Sequence, residues 1–332
     1  KRDKIPTAFR PAEPLISLII PCYNEKEALP LFVERINAEL SALDPHYRFE
    51  LLFVDDGSQD ETRDLIADIV ASDPRCRALL LSRNFGKEAA MTAALEHCRG
   101  DAAIPIDVDL QDPPELIAQF LHHWSAGIDM VYGVRADRVA DGFLKQSTAG
   151  AFYSLFNRFS PTPIPENAGD YRILDRRVID AVNSLPERNR FLKGLVGWVG
   201  FSTMAIPYTR PNRSAGESGF NYRKLWNFAI DGIVGFSALP IKIWTYVGLS
   251  VALAAFVYAS WIIVQTLAFG IDVPGYASIM VALLILSAVQ LISIGVLGEY
   301  VSRMFIEVKQ RPTYIIDRQI EAADEPPENS TP

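Results

Sequence analysis

The chain is poor in cysteine and histidine. Its 332 residues hold three cysteines, Cys22, Cys76 and Cys98, and four histidines, His46, His97, His122 and His123. The cysteines are odd in number and lack CxxC spacing, which excludes a disulfide or zinc framework and suits a reduced, cytosolic setting. They read as small buried apolar residues. The histidines form no ligand pattern and read as solvated helix or loop positions. Positive charge is also short, with 32 Lys and Arg against 40 Asp and Glu, a formal net charge of -8. No basic stripe with interleaved aromatics offsets that balance, so nucleic acid is not an expected partner. A GxxxxGK[ST] loop is absent, which excludes a P-loop ATPase. The N-terminal stretch KRDKIPTAFRPAEP lacks the apolar core of a signal peptide. The soluble part is therefore expected to stay on the side where it is synthesised.

Charge is missing altogether from Ile243 to Ile271 and again from Val273 to Gly298. Each run exceeds the roughly 20 residues that cross a bilayer as a helix. At 1.5 Å per residue the first reaches about 40 Å, so it must tilt or extend into the headgroups. A turn at 270–275 joins the two and carries only Asp272, whereas Arg223, Lys224, Lys242, Arg303, Lys309 and Arg311 flank the outer ends. Positive residues stay inside, which puts both termini and the soluble domain in the cytoplasm. Gly295 and Gly298 allow close helix contact and favour a homo-oligomer such as a tetramer. Residues 221–237 set Tyr222, Leu225, Trp226, Ala229, Ile230 and Ile233 against Arg223, Lys224, Asn227 and Asp231. Such a helix either lies in the headgroup plane or packs on the soluble domain, and the adjoining spans favour the first.

Ahead of the membrane stretches, apolar runs at 15–22, 50–55, 77–82 and 102–107 alternate with helical spacing at 25–43, 60–71 and 87–98. Leu29, Phe32, Val33, Ile36 and Leu40 mark the first helix. This βαβα pattern predicts an open, mostly parallel sheet with helices on both faces. Ligands of such sheets bind beyond the carboxyl ends of the strands. Polar clusters fall at those four ends: Tyr23, Asn24 and Glu25; Asp55 and Asp56; Arg83 and Asn84; Asp107 and Asp109. In an extended strand end Asp107 and Asp109 would project together, with Gln111 next in register. Asp, Asp and Gln oxygens suit the hard ions Mg2+ and Mn2+. Pro113 and Pro114 are expected to end the strand. A bare DxD is more often an acidic surface loop with an N-cap, and the three companion strand ends weigh against that reading here.

The segments PCYNE (21–25), VDDGSQDET (54–62), SRNFGKEAAMTAAL (82–95) and DVDLQDPPE (107–115), in this order, resemble glycosyltransferase family 2 of GT-A fold. They are similar in particular to the polyprenyl-phosphate sugar transferases, which include bactoprenol glucosyltransferases and dolichyl-phosphate mannose synthases. GDYRILDRRVIDAV (169–182), RFLKGLVGWVGF (190–201) and FSALPIK (236–242) resemble the bactoprenol glucosyltransferase branch most closely. The resemblance implies that Pro21, Tyr23, Glu25 and Asp55 hold the nucleotide base and ribose, and that Lys87 lies near the diphosphate. It places Asp107 near the ribose and Asp109 and Gln111 on an Mg2+ or Mn2+ ion. Asp56, Ser58 and Asp60 have helix capping as an alternative, and Asp112 reads as a turn and capping residue. Arg135, and more loosely Arg138 and Lys145, would bind a lipid phosphate, although the latter two also fit a solvated basic turn. Asp170 falls at the reaction centre, either as a base or as a carboxylate poised against sugar hydroxyls or Arg172. Arg210, Arg213 and Glu217 sit in a loop that either closes over the donor or is a linker.

The expected layout is a tail at 1–14, a GT-A domain at 15–217, a juxtamembrane amphipathic helix at 218–240, a transmembrane hairpin at 241–302 and a cytoplasmic tail at 303–332. The resemblance implies an inverting hexosyltransferase of the bacterial inner membrane that moves one sugar onto undecaprenyl phosphate at the cytoplasmic leaflet. The branch points to glucose from UDP-glucose, for modification of a surface glycan such as O-antigen. UDP-N-acetylhexosamine, a UDP-aminoarabinose derivative or GDP-mannose would use the same core. A flippase and a downstream glycosyltransferase are implied as functional partners. A processive synthase is disfavoured, because no tryptophan follows an arginine as QxxRW requires. From another class, a nonenzymatic membrane-anchored sugar-nucleotide sensor is disfavoured by the complete DxDxQ cluster.

Overall fold

The computed structural model describes residues 10–43, 45–135, 168–188, 190–209 and 275–322, together with most positions between 248 and 269. Arg138, Lys145, Arg210, Arg213, Glu217 and the expected amphipathic helix at 221–237 lie outside the described residues. The chain divides into two compact units, one of residues 1–225 and 312–332 and one of residues 226–311.

The first unit is built on eight strands: β1 (Leu15–Cys22), β2 (Arg48–Asp55), β3 (Cys76–Leu81), β4 (Ala102–Pro105), β5 (Met130–Arg135), β6 (Ala168–Asp175), β7 (Thr203–Tyr208) and β8 (Ile316–Glu321). They form one sheet in the order β7-β5-β6-β4-β1-β2-β3-β8. Pairing is parallel for β1 with β2 and β4, β2 with β3, and β5 with β7; β6 is antiparallel to β4 and β5, and β8 to β3. The mostly parallel sheet expected from the alternation is thus present. Its central strands are apolar at almost every position, and Leu51, Leu52, Phe53 and Val54 are all fully buried, as covering both faces requires.

Around the sheet lie α1 (Leu29–Ala42), α2 (Thr62–Ser72), α3 (Lys87–His97), α4 (Leu116–Ser125), α5 (Arg176–Asn183) and α6 (Leu192–Trp198). On α1, Leu29, Phe32, Ile36 and Leu40 form one buried stripe at helical spacing. α5 is capped by Asp175, whose side chain accepts the Arg177 N–H, a contact worth about 1 kcal/mol. The other oxygen of Asp175 accepts the indole N–H of the buried Trp124 at 2.8 Å, which joins α4 to α5. All three cysteines are buried, and burial, with Asp73 adding to it, pushes the Cys76 thiol up to about 12.

Two features differ from the sequence reading. β4 stops at Pro105, not at 107, because proline offers no N–H to extend the ladder toward β6. The chain after Ile106 turns, with Leu110 in the left-handed region at φ 54°. Asp107, Asp109 and Gln111 therefore ride a turn and not an alternating strand. The expected tail at 303–332 also does structural work, since Ile316–Glu321 pairs with β3 as β8. Glu321 on β8 accepts from Arg99 at 2.7 Å and Arg77 at 3.2 Å, and Arg77 also reaches the buried Glu50.

Gly57, in the turn after β2, has φ 73°, and a Cβ there would stand 2.3 Å from the backbone of Arg83 and Asn84. Strain and overlap act together, so Gly57→Ala is expected to destabilise the protein by about 3 kcal/mol. Denaturant unfolding of the purified protein measures this; a change within about 0.5 kcal/mol, the ordinary surface range, would refute it.

The second unit contains α7 (Tyr276–Lys309) and a preceding stretch that is helical at every described position between 248 and 269. Among the described residues one segment, Ile285–Lys309, is long and apolar enough to cross a membrane. Helix α7 continues beyond the apolar run that ends at Gly298 and stops where Gln310 turns left-handed at φ 48°, two residues before Pro312.

Candidate active site

The loops after β1 and β2 are fastened together. Asn24, at φ 55°, donates its N–H to Ser58 Oγ and accepts the Gln59 N–H, both at 2.9 Å. The Glu25 N–H donates to Thr62 Oγ1 at 2.9 Å. The loop carrying Tyr23 and Glu25 is thereby fixed beyond the carboxyl end of β1, which contains Pro21, and Tyr23 is 44% exposed.

Asp55 is held from within the domain. Its carboxylate is completely buried and accepts the N–H groups of Gly57 and Ser58 at 3.2 Å and Arg63 Nε at 2.7 Å. Neighbours along a strand end face opposite ways, so the Asp55 and Asp56 carboxylates, both buried, meet different partners. Asp56 does not cap α2. It accepts the N–H groups of Phe85 at 2.7 Å and Gly86 at 2.9 Å, tying the second strand end to the third. Burial pushes the Asp56 carboxyl up, and these two N–H groups oppose it only in part. Capping falls to Asp60, which accepts the Thr62 N–H at 3.1 Å, while Ser58 serves Asn24.

Because β6 runs against β4, its first residues reach the same sheet edge as the end of β4. The register pairs Ala102 with Asp175 and Ala103 with Leu174. Continued outward, it sets Asp107 opposite Asp170. Lys87, the first residue of α3, joins the two. Its Nζ donates to both oxygens of Asp107 at 2.7 and 2.8 Å and lies 3.3 Å from Asp170 Oδ2. Gly86 precedes it at φ 97°, a backbone state that suits glycine.

The other Asp170 oxygen faces Lys193 Nζ at 3.4 Å. Lys193 stands on α6, which Glu88 anchors by accepting the Leu192 N–H at 3.0 Å. Arg172 is buried beneath, donating to the Gly169 carbonyl. Lys87, Glu88, Met91, Asp170, Arg172 and Lys193 line one small cavity. Burial alone would raise the Asp170 carboxyl, yet Lys193, Lys87 and Arg172 outweigh it and hold it well below the usual carboxylate range. Burial would likewise lower Lys87, but Asp107 and Asp170 hold it above its ordinary value. Burial pushes the Glu88 carboxyl up. The sequence reading brought Lys87, Asp107 and Asp170 to one place and missed Lys193, which no short-range spacing signals.

The DVDLQDPPE turn is propped from below. Tyr171 Oη donates to the Pro113 carbonyl and Tyr208 Oη to Asp112 Oδ1, both at 2.9 Å. Asp112 is thus a buried turn residue bonded to β7. Above it, Asp109 Oδ1 accepts the Gln111 N–H at 3.1 Å. Among the described residues no three His, Cys, Asp or Glu side chains converge as a self-sufficient metal cage. A cation at Asp109 and Gln111 would have to complete its shell from water and substrate oxygens. That fits Mg2+ or Mn2+, which keep waters and favour oxygen donors. Arg135 ends β5 with its backbone opposite Tyr208; its side chain, like Arg138 and Lys145, lies outside the described residues.

Residues 17–182 match the family described as Glycosyl transferase family 2, and residues 239–304 match the GtrB C-terminal hairpin. The SfII prophage-derived bactoprenol glucosyl transferase of Shigella flexneri is 50% identical over 303 residues, 91% of this chain and 97% of that protein. The prophage bactoprenol glucosyl transferase homolog of Escherichia coli (strain K12) is 49% identical over 303 residues, 91% of this chain and 98% of that protein. A mannosyltransferase from Pyrobaculum calidifontis, solved with GDP-Man and Mn2+, is 16% identical, covering 92% of this chain and 86% of that one at a TM-score of 0.46.

Proposed function

We infer that this chain, which belongs to glycosyltransferase family 2 and has its GT-A α/β fold, transfers glucose from UDP-glucose to undecaprenyl phosphate at the cytoplasmic face of a bacterial inner membrane. One observation carries the reading: half-identity to bactoprenol glucosyl transferases extends over 91% of this chain, through the sheet domain and the hairpin alike. The choice of UDP-glucose rests on that likeness, since small changes in a pocket exchange one sugar for another.

The residues fit the chemistry. Pro21, Tyr23, Glu25 and Asp55 are the proposed base and ribose residues, and Asp107 with Lys87 marks the sugar and diphosphate side. Asp109 and Gln111 would hold the divalent ion, which when bound neutralises charge on the departing nucleoside diphosphate. The acceptor phosphate is already ionised at neutral pH, so deprotonation is not the obstacle; bringing two anions together is. Lys87 meets that demand at the start of α3, where helix N–H groups also favour phosphate. Arg135, Arg138 and Lys145 are the proposed acceptor-side cations, guanidinium groups being shaped for phosphate. In-line attack by the phosphate oxygen on the anomeric carbon gives a β-linked lipid-phosphate glucose.

Membrane topology follows the same reading. Residues 239–304 match a hairpin, and a hairpin returns the chain to the side of the membrane that it left. An even number of crossings satisfies this, and α7 accounts for one. Two spans joined as a hairpin, a homo-oligomer in the membrane, and dependence on a flippase and a later transferase complete the proposal.

The test is a donor panel with undecaprenyl phosphate and Mg2+ or Mn2+, read by the mass of the lipid product. UDP-glucose is expected to give the fastest hexosyl-phosphate lipid, with no product in EDTA. Absence of product with every donor would overturn the enzyme reading, and a faster product from another donor would replace glucose.

A further inference from the structure

Lys193 has no task in the transfer as described so far, yet it faces the reacting centre. It is the second residue of α6, and its Nζ lies 3.4 Å from Asp170 Oδ1 while Lys87 Nζ lies 3.3 Å from Asp170 Oδ2. The placement is built: Glu88, next to Lys87 on α3, accepts the Leu192 N–H at 3.0 Å. The same helical turn therefore presents Lys87 to one oxygen of Asp170 and fixes the helix that presents Lys193 to the other. The two ammonium groups differ in what else they hold. Lys87 is committed to Asp107 through both oxygens, on the β4 side of the site. Lys193 meets the other oxygen of Asp170, and its side chain, which lines the cavity, is 24% exposed.

We propose that Lys193 is an acceptor-phosphate residue, which rests on Asp170 while the site is empty and turns its ammonium onto the incoming lipid phosphate at transfer. This rests on the glucosyl-transfer reading above. An ammonium on a four-carbon stem carries three rotatable donors, so it can exchange a carboxylate oxygen for a phosphate oxygen by bond rotation alone. Asp170 then remains held by Lys87 and by the field of Arg172, and the phosphate meets a cation other than the one bound to Asp107. The Asp170 carboxylate keeps Lys193 in place beforehand, which lowers the ordering cost when the acceptor arrives.

The experiment is steady-state kinetics on the full-length protein with UDP-glucose and undecaprenyl phosphate varied in turn, for wild type, Lys193→Met, Lys193→Gln and Lys193→Arg. Removing the charge is expected to raise the acceptor KM at least tenfold with donor KM within twofold, and arginine to recover the acceptor KM to within threefold of wild type. An unchanged acceptor KM in Met and Gln variants, or equal rises in both KM values, would overturn the proposal, the second because it marks a structural prop. Two charge-free variants are carried so that misfolding of one leaves the other to decide. An inactive wild type would instead strike the function itself, which separates the two failures.

Discussion

Asp170→Asn is expected to lower kcat about a thousandfold while the donor KM moves less than threefold. The substitution keeps the shape of the side chain and removes the charge on which Lys87 and Lys193 converge, one on each oxygen. Asp170 and its partners are only partly buried, so the cost taken is that of removing a preorganised electrostatic group at a reacting centre, about 3–4 kcal/mol, and about 4 kcal/mol corresponds to a thousandfold. Lys87 would keep Asp107 and so keep the position from which it is proposed to meet the diphosphate. The loss should therefore fall on the chemical step and not on donor binding.

The same geometry argues against Asp170 as a general base. A useful base titrates near the working pH, whereas two ammonium groups and Arg172 depress this carboxyl despite its burial. A depressed carboxylate is fully charged above its ordinary value of about 3.9 and loses that charge only as pH falls through the lower folded value. Wild-type kcat is thus expected to show no acid limb from Asp170 between pH 5 and 8. A limb near pH 6–7 that disappears in Asp170→Asn would restore the base role.

The sheet and the strand-end site were legible because both depend on short-range pattern. Buried parallel strands need continuous apolar runs, and their carboxyl ends need polar groups, so 15–22, 50–55 and 77–82 announced themselves. What failed depends on long-range pairing or on backbone detail. Nothing local distinguishes Asp55 from Asp56; the difference lies in Arg63 Nε, which takes the first, and in the Phe85 and Gly86 N–H groups, which take the second. The period-2 reading of Asp107 and Asp109 could not foresee that Pro105 ends the ladder and Leu110 turns the chain. Lys193 acquires meaning only when Glu88, 104 residues away from Leu192, docks α6. IDRQIE is too polar to read as a strand, yet an edge strand with few buried positions is what such a charged sequence can build.

Asp109→Asn is expected to reduce turnover by a thousandfold or more in Mg2+ while membrane insertion and the unfolding midpoint stay as in wild type. The turn has other supports: Tyr171 holds Pro113, Tyr208 holds Asp112, and an amide oxygen can still accept the Gln111 N–H. On the proposed metal role, it loses an anionic ligand for a divalent ion whose stabilisation of transition-state charge is worth several kcal/mol, and about 4 kcal/mol is a thousandfold in rate. Asp112→Ala gives the contrast. That change removes the acceptor of the Tyr208 hydroxyl's bond in a buried setting and should destabilise the protein by about 1–3 kcal/mol. Its apparent metal requirement should stay as in wild type. Titrating Mn2+ separates the two, because a weakened metal site raises the half-saturating concentration and a weakened turn does not. Near-normal turnover of Asp109→Asn at wild-type metal concentration would remove Asp109 from the metal site and leave Asp107 to be tested in its place.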